Sequence, residues 1–278
     1  MKSIRRLAFL SVIAWVVALL IVPVSEASLT SSILLHRPYS NVRVHSILVQ
    51  YQRVKAQGDA DLTHLKAPYF NASDGRGGFA AKILLSGGCN SPCYNETEAE
   101  KVRARLIITI PIPTLVNATL ITANWSARLN WSWNITSGGC QTAGANSPIC
   151  LVESYESFEF EPARLFDWTN RSSVCAGNCS PSVSSTVAYN VSGCNSGWCN
   201  GGTQSIGSFS NLLSWSPAFH VAGMKPGHRY YLQFEFVWKT YAFEVAYGKG
   251  YLPNTVIVAY IGMAGHGNGV QLRSITVA

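Results

Sequence analysis

The stretch Trp125-Ser126-Ala127-Arg128-Leu129-Asn130-Trp131-Ser132-Trp133-Asn134-Ile135-Thr136 decides the fold. Its odd positions are Trp, Ala, Leu, Trp, Trp and Ile. Its even positions are Ser, Arg, Asn, Ser, Asn and Thr. Period two with one apolar and one polar face is the pattern of a half-buried antiparallel strand, because successive side chains leave a strand on opposite sides. Asn124, Asn130 and Asn134 each open an Asn-x-Ser/Thr sequon, and all three have the polar parity. A glycan is bulky and must face solvent. The sequons and the tryptophans therefore assign the same wet and dry faces independently, and Trp125, Trp131 and Trp133 are expected in the core.

The same alternation extends outward. Val102, Ala104, Leu106, Ile108, Ile110 and Ile112 alternate, with Arg103 and Arg105 on the opposite parity. Tyr230, Leu232, Phe234, Phe236 and Trp238 alternate against Tyr231, Gln233, Glu235 and Lys239, and Tyr241, Phe243, Val245 and Tyr247 form a further face. Ile47, Val49 and Tyr51 mark an early strand, residues 151–161 another, and residues 270–278 a last one. Residues 256–261 are apolar on both parities, which predicts a central strand. The Gly-rich run 262–269 reads as a hairpin turn. No sustained helical period occurs. The expected class is all-β: an antiparallel β-sandwich or jelly roll, with a long Cys-, Ser-, Gly- and Asn-rich elaboration at about residues 137–211.

Compartment follows from the start of the chain. Lys2, Arg5 and Arg6 precede an apolar run over residues 7–24, and Ser25-Glu26-Ala27 supplies small residues before a cut after Ala27. This is the layout of a secretory signal peptide, with an uncleaved membrane anchor as the alternative. The domain reading is a signal peptide at 1–27 and one large sandwich at 28–278. The 251 residues left (278 − 27) carry 18 basic (21 − 3) and 13 acidic (14 − 1) side chains, a formal charge of +5. That excess is small and scattered, which argues against nucleic acid as a partner.

Nine sequons occur: Asn71, Asn95, Asn117, Asn124, Asn130, Asn134, Asn170, Asn178 and Asn190. Chance at this Asn, Ser and Thr content gives about three, so glycosylation is expected. Eight cysteines, an even number, follow the signal segment: Cys89, Cys93, Cys140, Cys150, Cys175, Cys179, Cys194 and Cys199. In an oxidising compartment they are expected as disulfides. Eight allow 105 connectivities; spacing favours four local staples, Cys89–Cys93, Cys140–Cys150, Cys175–Cys179 and Cys194–Cys199. They lack zinc-ribbon spacing, and no metal or cofactor is implied.

Met224-Lys225-Pro226-Gly227-His228-Arg229-Tyr230 resembles the apolar-x-Pro-Gly-x-x-Tyr corner of fibronectin-III-like domains, and carbohydrate-binding jelly rolls use a similar phrase. The resemblance implies a β-sandwich and a tyrosine corner, in which the Tyr230 hydroxyl bonds the backbone just upstream. It covers these seven residues and the strand that follows. More loosely, the sequon-dense composition resembles that of archaeal-type cell-surface and pilus-thread glycoproteins.

The strongest catalytic candidates are Glu159 and Glu161, which share a parity with Glu153. As same-face neighbours they stand about 7 Å apart, and a retaining glycosidase needs a carboxylate pair near 5.5 Å. Glu235 and Glu244 are possible partners across a cleft, while a solvated sheet face is the plainer reading. Glu156 shares the parity of Phe158 and Phe160 and is expected to pair with an arginine or face a pocket. Trp198, inside the Cys194–Cys199 loop, is the candidate binding residue. His36, His45, His64, His220, His228 and His266 form no metal-spaced pair, and no nucleophile elbow or phosphate loop occurs. The function expected is a secreted or cell-surface glycoprotein with a structural or adhesive role. The alternative is a carbohydrate-binding or carbohydrate-cleaving jelly roll. Expected partners are a protein or glycan at the cell surface, or further copies of the chain joined by strand addition with residues 28–35 as donor; simple packing of that segment on its own sheet is the alternative.

Overall fold

A computed structural model describes residues 32–53, 58–93, 96–137, 141–142, 149–174, 185–192, 203–247, 250–261 and 269–278. Side chains are described over 32–50, 67–84, 101–136, 154–161, 163–174, 206–242 and 269–278. The regular elements are all strands: β1 Ile33–Leu35, β2 Arg43–Arg53, β3 Gly58–Asn71, β4 Arg76–Cys93, β5 Glu96–Ile112, β6 Leu120–Ser137, β7 Gln141–Thr142, β8 Ile149–Asp167, β9 Ser172–Ser173, β10 Ser185–Ser192, β11 Thr203–Trp215, β12 Ala218–His220, β13 Tyr230–Tyr247, β14 Gly250–Ile261 and β15 Gly269–Val277. No helix among the described residues is long and apolar enough to cross a membrane.

The strands make two antiparallel sheets. The larger has nine strands and runs β1-β15-β4-β14-β6-β11, with β3, β7 and β12 attached beside it; the smaller has six and runs β10-β8-β13-β5-β2, with β9 on β8. Their inner faces meet in one core. From the larger sheet come Phe79, Ala81 and Ile83 of β4, Trp125, Ala127, Leu129, Trp131, Trp133 and Ile135 of β6, and Val270, Leu272, Ile275 and Val277 of β15. From the smaller come Val102 through Ile112 of β5 at even positions, Phe158 and Phe160 of β8, and Leu232, Phe234, Phe236 and Trp238 of β13. Trp125 reaches across the gap, its ring 4.9 Å from both Phe234 and Phe236 at angles near edge-to-face. Aromatic pairs in that arrangement add about 0.5–1.5 kcal/mol beyond area burial. The dry face expected for β6 is the buried one: Trp125 is 2% exposed, Trp131 1% and Trp133 8%.

Three expectations change. The segment 137–211 is not an elaboration outside the sheets: β8 lies inside the smaller sheet, β10 forms its edge, and β11 pairs with β6 from Thr203↔Ser137 to Trp215↔Trp125. Gly207 of β11 leaves room for the tryptophan opposite it. A Cβ on Gly207 would sit 2.3 Å from a Trp133 ring carbon, and Phe209 stacks on Trp131 at 5.1 Å. Second, β14 and β15 do not form the hairpin expected from the Gly-rich run 262–269, whose residues 262–268 lie outside the described residues. Ile261 pairs with Trp131 of β6 and Gly269 with Arg128, so β15 resumes the line and direction of β14. β14 is central, flanked by β4 and β6, as its two-sided apolar character predicts. Third, β8 continues past Glu161 to Asp167 through a bulge that places Pro162 and Ala163 between the Glu235↔Glu161 and Gln233↔Arg164 pairs. A proline cannot donate to the ladder of an internal strand, and the bulge accommodates it.

The start of the sandwich is tied to its end. Ile33, Leu34 and Leu35 pair with Val277, Thr276 and Ile275, so β1 completes its own chain's sheet. Residues 28–31 of the donor segment lie outside the described residues, as does the signal segment.

Candidate functional site

Glu159 and Glu161 face outward from β8, away from the core. Each is held in a ladder of charge across the smaller sheet. Glu159 pairs with Lys239 of β13, which the register places diagonally across from it, and Glu235 of β13 makes a two-pronged pair with Arg105 of β5. The second prong, Arg105 Nη2 to Glu235 Oε2, is 2.7 Å long. Those hydrogen bonds, with the nearby Glu161 charge, hold the Arg105 guanidinium still more firmly in its charged form. Tyr155 and Tyr241 stack at 4.7 Å further along the same face. This is an ion-paired sheet surface. Glu161 and Glu235 are direct cross-strand neighbours, and the Arg105 charge acts on both. Such neighbours repel unless a cation is shared, which is the role Arg105 fills.

Glu156 points the other way. It is fully buried, its Oε1 accepts a 2.8 Å hydrogen bond from the Ser154 hydroxyl, and its Oε2 finds no partner. Among the described residues no arginine pairs with it, contrary to one of the two expectations, because its strand parity aims it between the sheets. Burial pushes its carboxyl up to about 7, against the smaller lowering effect of Ser154.

A second grouping assembles where β2 begins, β5 ends and β13 begins. Antiparallel pairing brings these points together: Arg43 stands opposite Thr109, and Tyr230 lies between Ile112 and Asp167. A cleft of about 720 Å³ opens there, bordered by Arg43, Pro111, Thr114, His228, Arg229 and Tyr231 among others. The Pro-Gly turn leads into its His228–Tyr231 border. Gly227 takes φ +78°, which favours glycine, and the Tyr230 hydroxyl accepts a 2.7 Å hydrogen bond from the Lys225 N–H. That is the geometry a tyrosine corner requires. His228 Nδ1 lies 2.7 Å from Asp167 Oδ2, while Asp167 Oδ1 accepts from the backbone N–H of Thr169 and Asn170. Burial alone would raise the Asp167 carboxyl; the His228 hydrogen bond and charge and the two backbone donors outweigh it and hold the group below its usual range. The turn after β8 is latched to the corner twice more, by Trp168 N–H to Arg229 O at 2.8 Å and by Arg229 N–H to Thr169 Oγ1 at 3.1 Å. Trp168 is 55% exposed beside the cleft. Its ring meets Tyr231 edge-on at 5.8 Å, and the Arg43 guanidinium lies 5.4 Å from the Trp168 centroid and 6.0 Å from that of Tyr231.

Of the residues named from the sequence, Ile112, His228, Arg229, Tyr230 and Tyr231 border this cleft, Ile112 and Tyr231 as strand positions and the others within the Pro-Gly-x-x-Tyr phrase. Arg43 and the adjacent Asp167 and Trp168 come from segments far from that phrase in the chain, and no local spacing announces them. Trp198 lies outside the described residues, as do the side chains of all eight cysteines and of Glu153 and Glu244. The backbone register does place Cys93 opposite Gly250 and Cys89 opposite Leu252. Among the sequons, Asn71, Asn117, Asn134 and Asn170 are exposed, and Asn124 and Asn130 are half-buried; Asn95 and the side chains of Asn178 and Asn190 lie outside the described residues.

No family model matches the chain, and no curated protein matches it. Among solved structures it is similar to the enzymatically active domain of bacteriophage CBA120 tailspike protein 4, at 12% identity and a TM-score of 0.18 over 81% of this chain and 19% of that one. It is also similar to the isomalto-dextranase of Arthrobacter globiformis T6, at 9% identity and a TM-score of 0.14 over 88% of this chain and 34% of that one. A third likeness is to infectious bursal disease virus, Gx strain, at 9% identity and a TM-score of 0.11 over 85% of this chain and 82% of that one. The chain thus spans about a fifth to a third of the first two proteins' lengths, and likenesses this weak carry no argument about its activity.

Proposed function

We propose that this chain works outside the cell as a glycosylated β-sandwich protein with a structural or adhesive role. The supporting observation is the placement of the sequons. None of the six whose side chains are described is buried, although three of them alternate along β6 with tryptophans that are. The sheet presents its attachable amides to solvent and its aromatic rings to the core, an arrangement compatible with heavy glycosylation. Rows of cross-strand ion pairs on the opposite sheet add solubility without any reacting pair. Glycosite mapping of the native protein, with enzymatic release converting each occupied Asn to Asp, tests the reading. Occupancy is expected first at the exposed Asn71, Asn117, Asn134 and Asn170. It should be lowest at Asn124, whose Nδ2 donates to Ser274 Oγ at 2.9 Å and whose Oδ1 accepts from Ser216 at 2.7 Å. A native protein with every sequon unoccupied would count against the proposal.

The second reading is carbohydrate recognition. It gains nothing from Glu159, which is held by Lys239, or from Glu161, which shares the charge of Arg105. Its support is the basic and aromatic cleft beside Trp168.

A further inference from the structure

We propose that the cleft bordered by Arg43, Tyr231 and the His228 corner, together with the Trp168 ring packed against Arg43 and Tyr231 beside it, binds an acidic sugar, a pyranose carrying a carboxylate, within an extracellular polysaccharide. The proposal deepens the carbohydrate-recognition reading and does not depend on whether the chain itself is glycosylated.

Three features of the cleft converge on this ligand. The first is charge. Arg43 and Arg229 border the cleft, and neither has a carboxylate partner among the described residues. Asp167, held by the cleft residue His228, is occupied on both oxygens by His228 and two backbone N–H groups, so it does not neutralise them. A planar guanidinium with free donors matches a carboxylate in two-pronged geometry. The second is the aromatic wall, Tyr231 on the cleft itself with Trp168 against it beside the cleft. Trp168 keeps over half of its surface exposed although it is fixed against Tyr231, and a large exposed ring beside a cleft marks a contact surface more often than a packing defect. The C–H face of a pyranose fits such a wall, and the Arg43 guanidinium, already seated over both rings, stands where a substituent carboxylate on that pyranose would arrive. The third is rigidity. The Trp168 turn and the His228 turn are joined by the Trp168–Arg229 and Arg229–Thr169 hydrogen bonds and by the Asp167–His228 pair, so little ordering remains to be done on binding. The volume of about 720 Å³ lies within the range of small-molecule sites, about 300–1,000 Å³. An acidic peptide satisfies the charge alone and leaves the aromatic wall unused, which is why the sugar is favoured.

The test is calorimetric titration of the full secreted chain with trigalacturonate, with neutral galactotriose and with hexaglutamate as probes. Trigalacturonate is expected to bind and to perturb tryptophan fluorescence. Binding should weaken at least tenfold in Arg43→Gln and in Trp168→Ala, both at solvent-facing positions, with circular dichroism confirming the fold. Arg43→Lys keeps the charge but loses the planar stack, and it should recover only part of the affinity. Galactotriose binding as tightly as trigalacturonate would leave sugar recognition standing and overturn the acidic class. Equal binding of hexaglutamate would overturn the sugar in favour of a simple anion site. No binding of any probe, or binding untouched by both Arg43→Gln and Trp168→Ala, would overturn the site itself.

Discussion

Replacing Glu156 with glutamine isolates the energetics of the buried carboxyl. Glu156 is enclosed between the sheets with one oxygen bonded to Ser154 and the other without a partner. Burial raises its carboxyl from an ordinary 4.5 to about 7. Between those values the folded chain holds a proton that the unfolded chain has released. Stability is therefore greatest on this account below pH 4.5 and is lost as pH rises through 7. The slope in that interval is about 1.4 kcal/mol per pH unit, a total of about 3 kcal/mol. Glutamine has nearly the same shape and does not titrate. Urea unfolding of the wild-type chain and of Glu156→Gln, both under non-reducing conditions, should give similar stabilities at pH 4.5. At pH 8 the variant should be more stable by up to about 3 kcal/mol. Other titrating groups are common to both proteins and cancel in the difference. A difference that stays constant from pH 4.5 to pH 8 would refute the reasoning and show that Glu156 is hydrated or compensated in the folded chain.

Trp131→Ala removes a ring that is 1% exposed and stacked on Phe209, and it should cost about 3–5 kcal/mol in denaturant unfolding. An unchanged melting temperature would show that the tryptophan face of β6 is not the core. Gly207→Ala brings a Cβ to 2.3 Å from the Trp133 ring, and the same assay should read a loss of about 1–3 kcal/mol. Asp167→Asn removes the charge that binds the β8 turn to His228, at a cost of about 1–3 kcal/mol near neutrality. Because the Asp167 carboxyl is held below its usual range, that contribution is present above the ordinary carboxylate value and is lost as pH falls through the lowered one. The gap between wild type and Asp167→Asn should accordingly close in acid, and a pH-independent gap would contradict the assignment.

Alternation made most of the sandwich legible before any coordinate. Over residues 102–112 of β5, 121–135 of β6 and 230–238 of β13 one parity is wholly apolar, and in each that parity is buried. Tyr230 was legible because a turn-and-tyrosine phrase is local. β11 was hidden for the opposite reason: Gly207, Ser208 and Ser210 look like loop residues, yet Gly207 makes space for a ring contributed by β6. The direction of β15 was hidden too, since a glycine-rich run can reverse a chain or let it rejoin its own line, and only the pairing with β6 separates the two. The cleft was beyond sequence reading. Arg43 meets Trp168 and Tyr231 across three strands of a sheet whose order is set by tertiary pairing.

The most direct test of an exported, disulfide-stapled glycoprotein is the intact mass of the native protein, taken reduced and non-reduced, before and after enzymatic deglycosylation. The account predicts a chain that begins at Ser28 and is heavier than its polypeptide by several glycans. It should gain eight alkyl groups on alkylation only after reduction, one for each of the eight cysteines. A mass equal to the bare 278-residue chain, with thiols that alkylate without reduction, would contradict it.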